Sequence, residues 1–356
     1  MTTYADTELL LLDLPDNIPP NMPYVFDDTS LAFSLGIRCK TLWWLLVSNT
    51  AKKIERDQGL YTSHRIPKRG GSKGYREIDA PCAALKNVQR ALLVTYFNHL
   101  VTPTHIGAYT RGRSLHHTAE KHVQKAVKIS LDIKDFFPST RRSWVRDWLR
   151  TFGYGEWVVG ALSNLMVIPK KRGGKVYSCL PQGAPTSGLV ANFVANARID
   201  VPLMAYLHGL DTPAVYTRYS DNIEVSFDKD LSREDVDQIT GRLTRLIHDS
   251  GYRVNRNKTR IQRQTSPTQS MSVLGMTVNE KLNIPAEKYR RLRAIVHNCA
   301  ARGFSSQLER AKKETKMALY AHIHGKLIYW AQVNPAKIKP LLVQFKEAAI
   351  TQNIME

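Results

Sequence analysis

Cysteine is scarce in this sequence, and no two cysteines are close together in the chain. Cys39, Cys82, Cys179 and Cys299 are the four cysteines among 356 residues, and they form no Cys-x-x-Cys pair. Closely spaced cysteines are the usual sign of a zinc site or of a disulfide framework. The spacing therefore argues against both, and it fits a reducing compartment.

Long apolar runs are also absent. The longest ones, such as residues 42–47, are far shorter than the roughly 20 residues that a membrane-spanning helix needs. The first residues include Asp6, Glu8 and Asp13 and lack the basic region of a signal peptide. We therefore expect a cytoplasmic protein without a membrane partner.

Acidic residues are few relative to basic ones. The chain has 31 Asp or Glu against 51 Lys or Arg, a formal net charge of +20. The excess is clustered, because residues 281–326 contain 11 basic and 3 acidic residues, whereas residues 219–237 contain more acids than bases. Clustered basic charge indicates a polyanionic partner. Basic regions around an acidic centre are typical of an enzyme that grips nucleic acid and holds metal ions, and an acidic protein or a membrane surface is the weaker alternative.

Two short stretches place a carboxylate at the end of a predicted strand. Residues 126–131 alternate between apolar and polar before Asp132. Residues 215–219 and 223–227 alternate on either side of Asp221, which predicts a hairpin with this acid at its turn. Carboxylates at adjacent strand ends suit hard divalent cations, which phosphoryl transfer uses. The sequence therefore predicts a metal site formed by Asp132 and Asp221.

The segments between and around these acids complete a recognisable order. The stretch 180–187, Leu-Pro-Gln-Gly-Ala-Pro-Thr-Ser, lies between them, and together the three resemble the palm of a reverse transcriptase. Further elements follow the order of bacterial retron reverse transcriptases: Gly112-Arg113-Ser114, residues 254–259, residues 273–279, and residues 325–330 with Asn334-Pro335. The chain thus resembles that family over roughly residues 70 to 345.

The resemblance implies an α+β fold with the right-hand architecture of polymerases. Fingers are expected over residues 1–127 with an insertion at 150–185, and the palm over 128–280 with a ferredoxin-like antiparallel sheet backed by helices. A helical thumb is expected over 281–356. This division agrees with the length of the chain, since 356 residues predict two or three subdomains.

The resemblance also implies two Mg²⁺ ions. Asp132 and Asp221 match the essential ligands of the family, and the carbonyl of Ile133 is a further oxygen ligand. The departure is Asn222, where the family usually has a second aspartate beside the first. An amide oxygen can bind a hard cation but contributes no charge. We therefore expect weaker binding of the second ion, with activity retained.

Other positions match substrate contacts of the family. Phe137 lies five residues after Asp132, where a bulky ring excludes a ribose 2′-hydroxyl; the alternative is core packing of the Phe136-Phe137 pair. Lys73 and Arg76 match contacts to the triphosphate, and the alternative for their segment is a surface turn; Asp135 would also contact the triphosphate, through its backbone N–H.

Gln182 and Gly183 match contacts to the template and the incoming base. Lys258 matches a lysine that protonates the leaving pyrophosphate, and the alternative is a solvated side chain. The residues assigned to RNA binding are Arg290, Arg291, Arg293, Lys312 and Lys313.

The function implied by the resemblance is RNA-directed DNA polymerase activity. Deoxynucleoside triphosphates are the substrates, and a structured noncoding RNA is both template and primer. The expected product is branched, RNA-linked single-stranded DNA (msDNA), made in antiphage defence beside a separately encoded effector protein. Two alternatives stay open: another reverse transcriptase, such as a group II-intron-like one, or a catalytically weakened RNA-binding scaffold that holds a partner effector or toxin inactive, which only Asn222 supports.

Overall fold

The computed structural model describes residues 18–19, 21–49, 59–67, 74–266 and 269–354. The strands, numbered in chain order, are β1 (Tyr61–Pro67), β2 (Tyr75–Pro81), β3 (Val127–Asp132), β4 (Ile168–Arg172), β5 (Lys175–Cys179), β6 (Ala214–Tyr219), β7 (Asn222–Phe227), β8 (Arg260–Arg263), β9 (Ser272–Val273) and β10 (Met276–Thr277).

The helices are α1 (Asp28–Ser34), α2 (Cys39–Ser48), α3 (Ala83–Leu92), α4 (Leu115–Glu120), α5 (Phe136–Ser139), α6 (Arg142–Arg150), α7 (Glu156–Met166), α8 (Ser187–Ala195), α9 (Val201–His208), α10 (Arg233–Asp249), α11 (Ala286–Arg302), α12 (Leu308–Ala311), α13 (Lys316–Val333) and α14 (Pro335–Thr351). π-Helical turns follow α3 at Leu93–Phe97 and α8 at Asn196–Asp200, and 3-10 turns lie at Arg256–Lys258 and Phe304–Gln307.

The central sheet is antiparallel and has the strand order β6-β7-β3-β8. Helices α5 to α9 and the hairpin of β4 and β5 lie between β3 and β6, a tight turn connects β6 to β7, and α10 lies between β7 and β8. This order and connectivity are those of a ferredoxin-like fold. The predicted ferredoxin-like antiparallel sheet is therefore confirmed.

The capping-box pattern of residues 232–235 and the glycine at 251 predict the two ends of helix α10, and the helix begins and ends there. The side chain of Ser232 accepts a hydrogen bond from the N–H of Asp235 at 3.0 Å, which satisfies one of the free donors of the first turn. The side chains of Val236, Leu243 and Ile247 are buried along one face. Gly251 has a φ of +92°, a conformation that favours glycine directly after the helix.

Helix α3 departs from the predicted pattern at its end. The sequence predicts one helix over residues 84–100, with Leu85, Val88, Leu92 and Thr95 on a single stripe. In the structure, α3 ends at Leu92 and continues as a π-helical turn. The wider turn shifts the inward face by one residue. Tyr96 and Phe97 are consequently the buried side chains, and Thr95 is half-buried.

Buried apolar side chains form two clusters. One extends from Met22 to Tyr252 and includes the sheet face that packs on helices. The second extends from Met271 to Ile354 and also includes Ala119. The expected division into fingers, palm and thumb stays a prediction, as do its boundaries.

No single helix in the described ranges is long and apolar enough to cross a membrane. Helices α1 and α2 together meet the criteria of length and composition, but they are bent by 101° at the break between them.

Candidate active site

The sheet brings the two predicted acids to the same end. Asp132 is the last residue of β3 and pairs with Asn222, the first residue of β7. Asn222 also pairs with Tyr219 at the end of β6, so Ser220 and Asp221 form a two-residue turn. Ser220 has a φ of +60°, as the first loop residue of a type II′ hairpin does. The predicted hairpin with Asp221 at its turn is confirmed.

Backbone hydrogen bonds hold the two acidic segments together. The N–H of Ile133 donates to the carbonyl of Asp221 at 2.8 Å. On the other side, the N–H of Asn255 donates to the carbonyl of Asp132 at 2.7 Å. The segment after β3 therefore lies between the Ser220-Asp221 turn and the segment after α10, and its direction is fixed on both sides.

The electrostatics of the pair suit a cation. Burial raises the pKa of Asp221, and the nearby charge of Asp132 raises it further, while Lys258 and Arg76 oppose the shift. Lys258 Nζ lies 2.8 Å from Asp132 Oδ2, but about half of the lysine side chain is exposed. Two close carboxylates, of which that of Asp132 is buried and that of Asp221 half-buried, are a donor set that fits a divalent cation. The described ranges hold no group of three or more His, Cys, Asp or Glu able to bind a metal, so the candidate set needs amide and carbonyl oxygens as well.

Asn222 interacts directly with its neighbour in the turn. Its Nδ2 group donates to Asp221 Oδ1 at 3.1 Å. A second aspartate in this position could not donate and would add repulsion at the same point. The amide therefore replaces a like charge by a hydrogen bond.

The two adjacent phenylalanines have different environments. Phe136 is buried, with 4% of its surface exposed, whereas Phe137 is half-buried. The Phe137 ring is 5.5 Å from that of Phe136 and 6.0 Å, edge-on, from that of Tyr109. Asp135, just before them, is exposed and has a φ of +49°. The segment thus turns sharply after the strand and presents one ring to the core and the other partly to solvent.

Gln182 and Gly183 contact the protein's own backbone. The carbonyl of Gln182 accepts a hydrogen bond from the N–H of Asp79 in β2 at 2.8 Å. Gly183 has a φ of +138°, and a Cβ there would lie 2.9 Å from the Asp79 carbonyl oxygen. A glycine is therefore required for this close approach of the loop to β2.

The remaining predicted residues are spread over the chain. Lys73 lies outside the described residues. Arg76 is exposed on β2, and it is close enough to Asp221 to oppose the upward shift of that residue's pKa. In the thumb region, Arg290, Arg291, Arg293 and Lys312 are exposed and Lys313 is half-buried. The pKa of Lys326 is lowered by burial and then by Arg291 and Lys313. Positive charges from α11, α13 and the segment before α13 thus lie near one another.

Three buried polar residues near the site were not predicted. His122 is fully buried beneath the sheet, where its Nδ1 and Nε2 each hydrogen-bond a hydroxyl, of Ser226 and Thr217, at 2.7 Å. Arg218 and Asp200 form a buried ion pair. In the sequence, nothing beside His122 indicates its burial, and Arg218 is marked only by its place three residues before Asp221.

Acidification is expected to destabilise the fold through His122. Burial, and then the positive charges of Lys128, Lys125 and Lys121, lower its pKa to about 3. The unfolded chain takes up a proton near pH 6.5 and the folded one does not, so stability falls as pH decreases below 6.5, by about 2 kcal/mol between pH 7 and 5. Urea unfolding at both pH values should show a smaller loss for His122→Gln, and an equal loss in both proteins would contradict this.

Comparison with known proteins identifies the family. Residues 66–278 match the model of the family described as reverse transcriptase (RNA-dependent DNA polymerase). The match covers more than half of the chain. It includes the central sheet and both Asp132 and Asp221 at the end of that sheet. The chain therefore belongs to the reverse transcriptase family, and its class is RNA-directed DNA polymerase.

Curated relatives place the chain among the retron reverse transcriptases. The retron Mx65 reverse transcriptase of Myxococcus xanthus is 30% identical over 332 residues, 90% of this chain and 71% of that protein. The retron Mx162 enzyme of the same organism is 29% identical, over 90% of this chain and 67% of that protein. The retron Ec86 enzyme of Escherichia coli is 27% identical, over 71% and 73%. The family resemblance drawn from the motifs is confirmed.

Proposed function

We propose that this chain copies a dedicated structured noncoding RNA into branched, RNA-linked single-stranded DNA. The RNA serves as template and primer, deoxynucleoside triphosphates are the substrates, and the product acts in antiphage defence with a separately encoded effector protein. The observation that carries the chemistry is the placement of Asp132 and Asp221 at adjacent strand ends, in a chain that belongs to the retron reverse transcriptases.

Metal binding is assigned to the end of the sheet. Asp132 and Asp221 supply carboxylate oxygens, with Asn222 Oδ1 and the Ile133 carbonyl as neutral ligands. Two Mg²⁺ ions bound there would increase the nucleophilicity of the primer hydroxyl and stabilise the charge on the leaving pyrophosphate. The donor set agrees with this assignment, because the charge of Asp132 adds to burial in raising the pKa of Asp221, and a cation bound between the two carboxylates would offset that repulsion.

The side chains around the acids hold and orient the nucleotide. Arg76, near Asp221, attracts the triphosphate together with Lys73, and Asp135 binds it through its backbone N–H. Lys258 lies beside Asp132 and carries a proton toward the pyrophosphate. Gln182 and Gly183 contact the template and the incoming base, and Phe137 excludes the ribose 2′-hydroxyl.

Recognition of the RNA is assigned to the thumb. The predicted contacts are Arg290, Arg291, Arg293, Lys312 and Lys313. Arg291 and Lys313 lie close enough to Lys326 to lower its pKa in addition to the effect of burial, which supports a shared phosphate-binding surface, since like charges this close favour a polyanionic ligand. Binding by such a surface weakens steeply with salt, because counterions are released.

The proposal is tested by deoxynucleotide incorporation with the RNA that co-purifies with the protein. DNA synthesis that requires this RNA and yields DNA joined covalently to it supports the proposal, with Asp132→Asn as the inactive control. Synthesis only on a generic primer-template would indicate another kind of reverse transcriptase. RNA binding without synthesis at any Mg²⁺ concentration would indicate the scaffold function.

Removal of the Phe137 ring should relax sugar selectivity. Phe137→Ala opens space next to the candidate sugar position, so ribonucleotide use relative to deoxynucleotide should rise by about 10- to 100-fold, the range that a steric contact gives. Single-nucleotide incorporation with matched dNTP and rNTP measures this. Phe136→Leu is the control, because it disturbs the buried ring of the pair. Unchanged selectivity in Phe137→Ala would make Phe137 a packing residue.

Restoration of an acid at position 222 should alter the Mg²⁺ requirement. Asn222→Asp replaces the amide that donates to Asp221 by a negative charge, which strengthens metal binding but also increases repulsion in the metal-free site. Activity should hold or rise at low Mg²⁺, and the difference should shrink at millimolar Mg²⁺. A Mg²⁺ titration of the extension rate for both forms measures this. Extension by Asn222→Asp alone would identify the native chain as a disabled polymerase.

A further inference from the structure

A buried ion pair lies directly behind the turn that carries Asp221. Arg218 of β6 and Asp200, at the end of the π-helical turn after α8, are both fully buried. Nε and Nη2 of the arginine donate to the two carboxylate oxygens of Asp200 at 2.7 and 2.8 Å. Such a bidentate pair fixes the direction of the guanidinium as well as its distance.

The other N–H groups of Arg218 connect this pair to a helix and to the turn. Nη2 donates to the backbone carbonyl of Asn192 at 3.0 Å, and Nη1 donates to its side-chain oxygen at 3.1 Å. Nη1 also donates to the carbonyl of Ser220 at 3.2 Å. A guanidinium has five N–H groups, and each of them has an acceptor here. The side chain therefore joins α8, the π-helical turn and the hairpin turn.

The contact with Ser220 completes a clamp around Asp221. The peptide group before Asp221 is held through the Ser220 carbonyl by Arg218, and the peptide group after it is held through its own carbonyl by the N–H of Ile133. Ser220 has a φ of +60°, which is unfavourable for a non-glycine residue and persists only where surrounding contacts impose it. Both peptide planes that orient the Asp221 carboxylate are thus fixed.

Arg218 acts from the far side of the sheet. It pairs with Ile223 in β7, on the face opposite to Asp132 and Asn222, so it does not face the proposed substrate position. Its Cζ lies 5.7 Å from the centroid of the Phe136 ring, which also links it to the segment after Asp132. Burial would raise the pKa of Asp200, but Arg218 and hydrogen bonds from His105 and Tyr216 hold it below its usual value. Asp200 is therefore ionised, and the Arg218–Asp200 pair has no net charge.

We propose that Arg218, itself oriented by Asp200, is a positioning residue that fixes the Ser220-Asp221 turn so that Asp221 faces Asp132. The inference rests on the proposed nucleotidyl transfer at these acids. It predicts that loss of the Ser220 contact lowers the catalytic rate beyond any effect on folding, because a small displacement of a reacting group costs about 10²-fold in rate.

The test compares two variants that differ only in the guanidinium. Asp200→Asn removes the buried negative charge but leaves Arg218 and its bond to Ser220. Arg218→Met/Asp200→Asn removes both charges, keeps the interior neutral and deletes the bond to the turn. Thermal unfolding, kcat and KM for a deoxynucleotide, and the Mg²⁺ concentration for half-maximal activity are measured for both and for the wild type. Leu162→Ala, a buried apolar truncation in α7, is the stability control.

For the double variant we expect kcat to fall by about 10²-fold, with KM changed less than about threefold and the half-maximal Mg²⁺ raised several-fold. Leu162→Ala should keep kcat within a few-fold of the wild type despite its lower melting temperature. Asp200→Asn leaves the buried Arg218 without its charged partner but keeps the bond to Ser220, so its loss of kcat should be clearly smaller than that of the double variant, even at an equal or lower melting temperature. If the double variant does not fold, Arg218→Lys replaces it in the test, because it keeps a cation opposite Asp200 but lacks the guanidinium group that contacts Ser220. It should show the same loss of kcat. Activity that follows the melting temperature in all variants would overturn the proposal, whereas an inactive wild type would instead refute the proposed function.

Discussion

Replacement of either Asp132 or Asp221 by asparagine is expected to lower DNA synthesis by roughly 10²–10³-fold or more, the loss typical of removing one electrostatic stabiliser. Each substitution removes one of the two negative charges of the candidate metal site and leaves the side-chain size unchanged. Primer extension at saturating deoxynucleotide and Mg²⁺ measures the loss. An extension rate near that of the wild type in either variant would show that the substituted aspartate is not a required metal ligand.

The fold should survive both substitutions. Burial and the charge of Asp132 raise the pKa of Asp221, so neutralising it relieves repulsion in the metal-free protein. Thermal unfolding without Mg²⁺ should show an equal or higher melting temperature for Asp221→Asn. Asp237→Asn is a matched control, because Asp237 lies on α10 with 62% of its side chain exposed, and this variant should retain full activity.

Lys128→Met is expected to destabilise the protein by about 3–5 kcal/mol, since it leaves a buried carboxylate without its counter-ion. Lys128 is fully buried in β3, and its Nζ lies 2.7 Å from Glu224 Oε2 in β7. Ser130 also donates to that oxygen, at 2.6 Å, but one hydroxyl does not compensate a full charge. The loss is a large part of the roughly 5–15 kcal/mol that stabilises a typical domain. Urea unfolding measures it.

The same substitution at the surface provides the comparison. Lys125 Nζ pairs with Asp228 Oδ1 at 2.6 Å, but 63% of the aspartate side chain is exposed. Lys125→Met should therefore cost only about 0–1 kcal/mol. The double variant Lys128→Met/Glu224→Gln should recover most of the stability, because no unpaired charge remains. Equal losses of unfolding free energy in the two single variants would show that burial of the Lys128–Glu224 pair does not increase its contribution to stability.

The sequence predicts the strand ends that carry Asp132 and Asp221 correctly because the signal there is local. The alternation before Asp132 and on both sides of Asp221 specifies strands and a turn, and the ferredoxin-like order then brings the two acids together. The same holds for α10, where Ser232 and Gly251 mark both ends. Each of these predictions depends on residues that are neighbours in the chain.

Residues whose role depends on distant partners were not predicted. His122 acquires its environment from Thr217 and Ser226, about a hundred positions away, and nothing near it in the chain indicates full burial. Arg218 is a charged residue in a strand of alternating pattern, and an arginine in that context is usually at the surface. Its acceptors in Asn192 and Asp200 are known only once α8 has been placed against the sheet. Lys128 and Glu224 are another such pair.

The bond between Gln182 and Asp79 has a kinetic consequence. Strand β2 is joined to the Gln182-Gly183 loop through its backbone, and Lys170 of β4 pairs with both Glu77 and Asp79 of β2 at 2.7 and 2.9 Å. The strand that carries Arg76 and the loop of Gln182 and Gly183 are therefore held together by one backbone hydrogen bond and two ion pairs. Under the proposed function, a shift of this strand toward a triphosphate would displace the Gln182-Gly183 loop as well, so we expect substitutions in either element to change the rate and the fidelity of synthesis together.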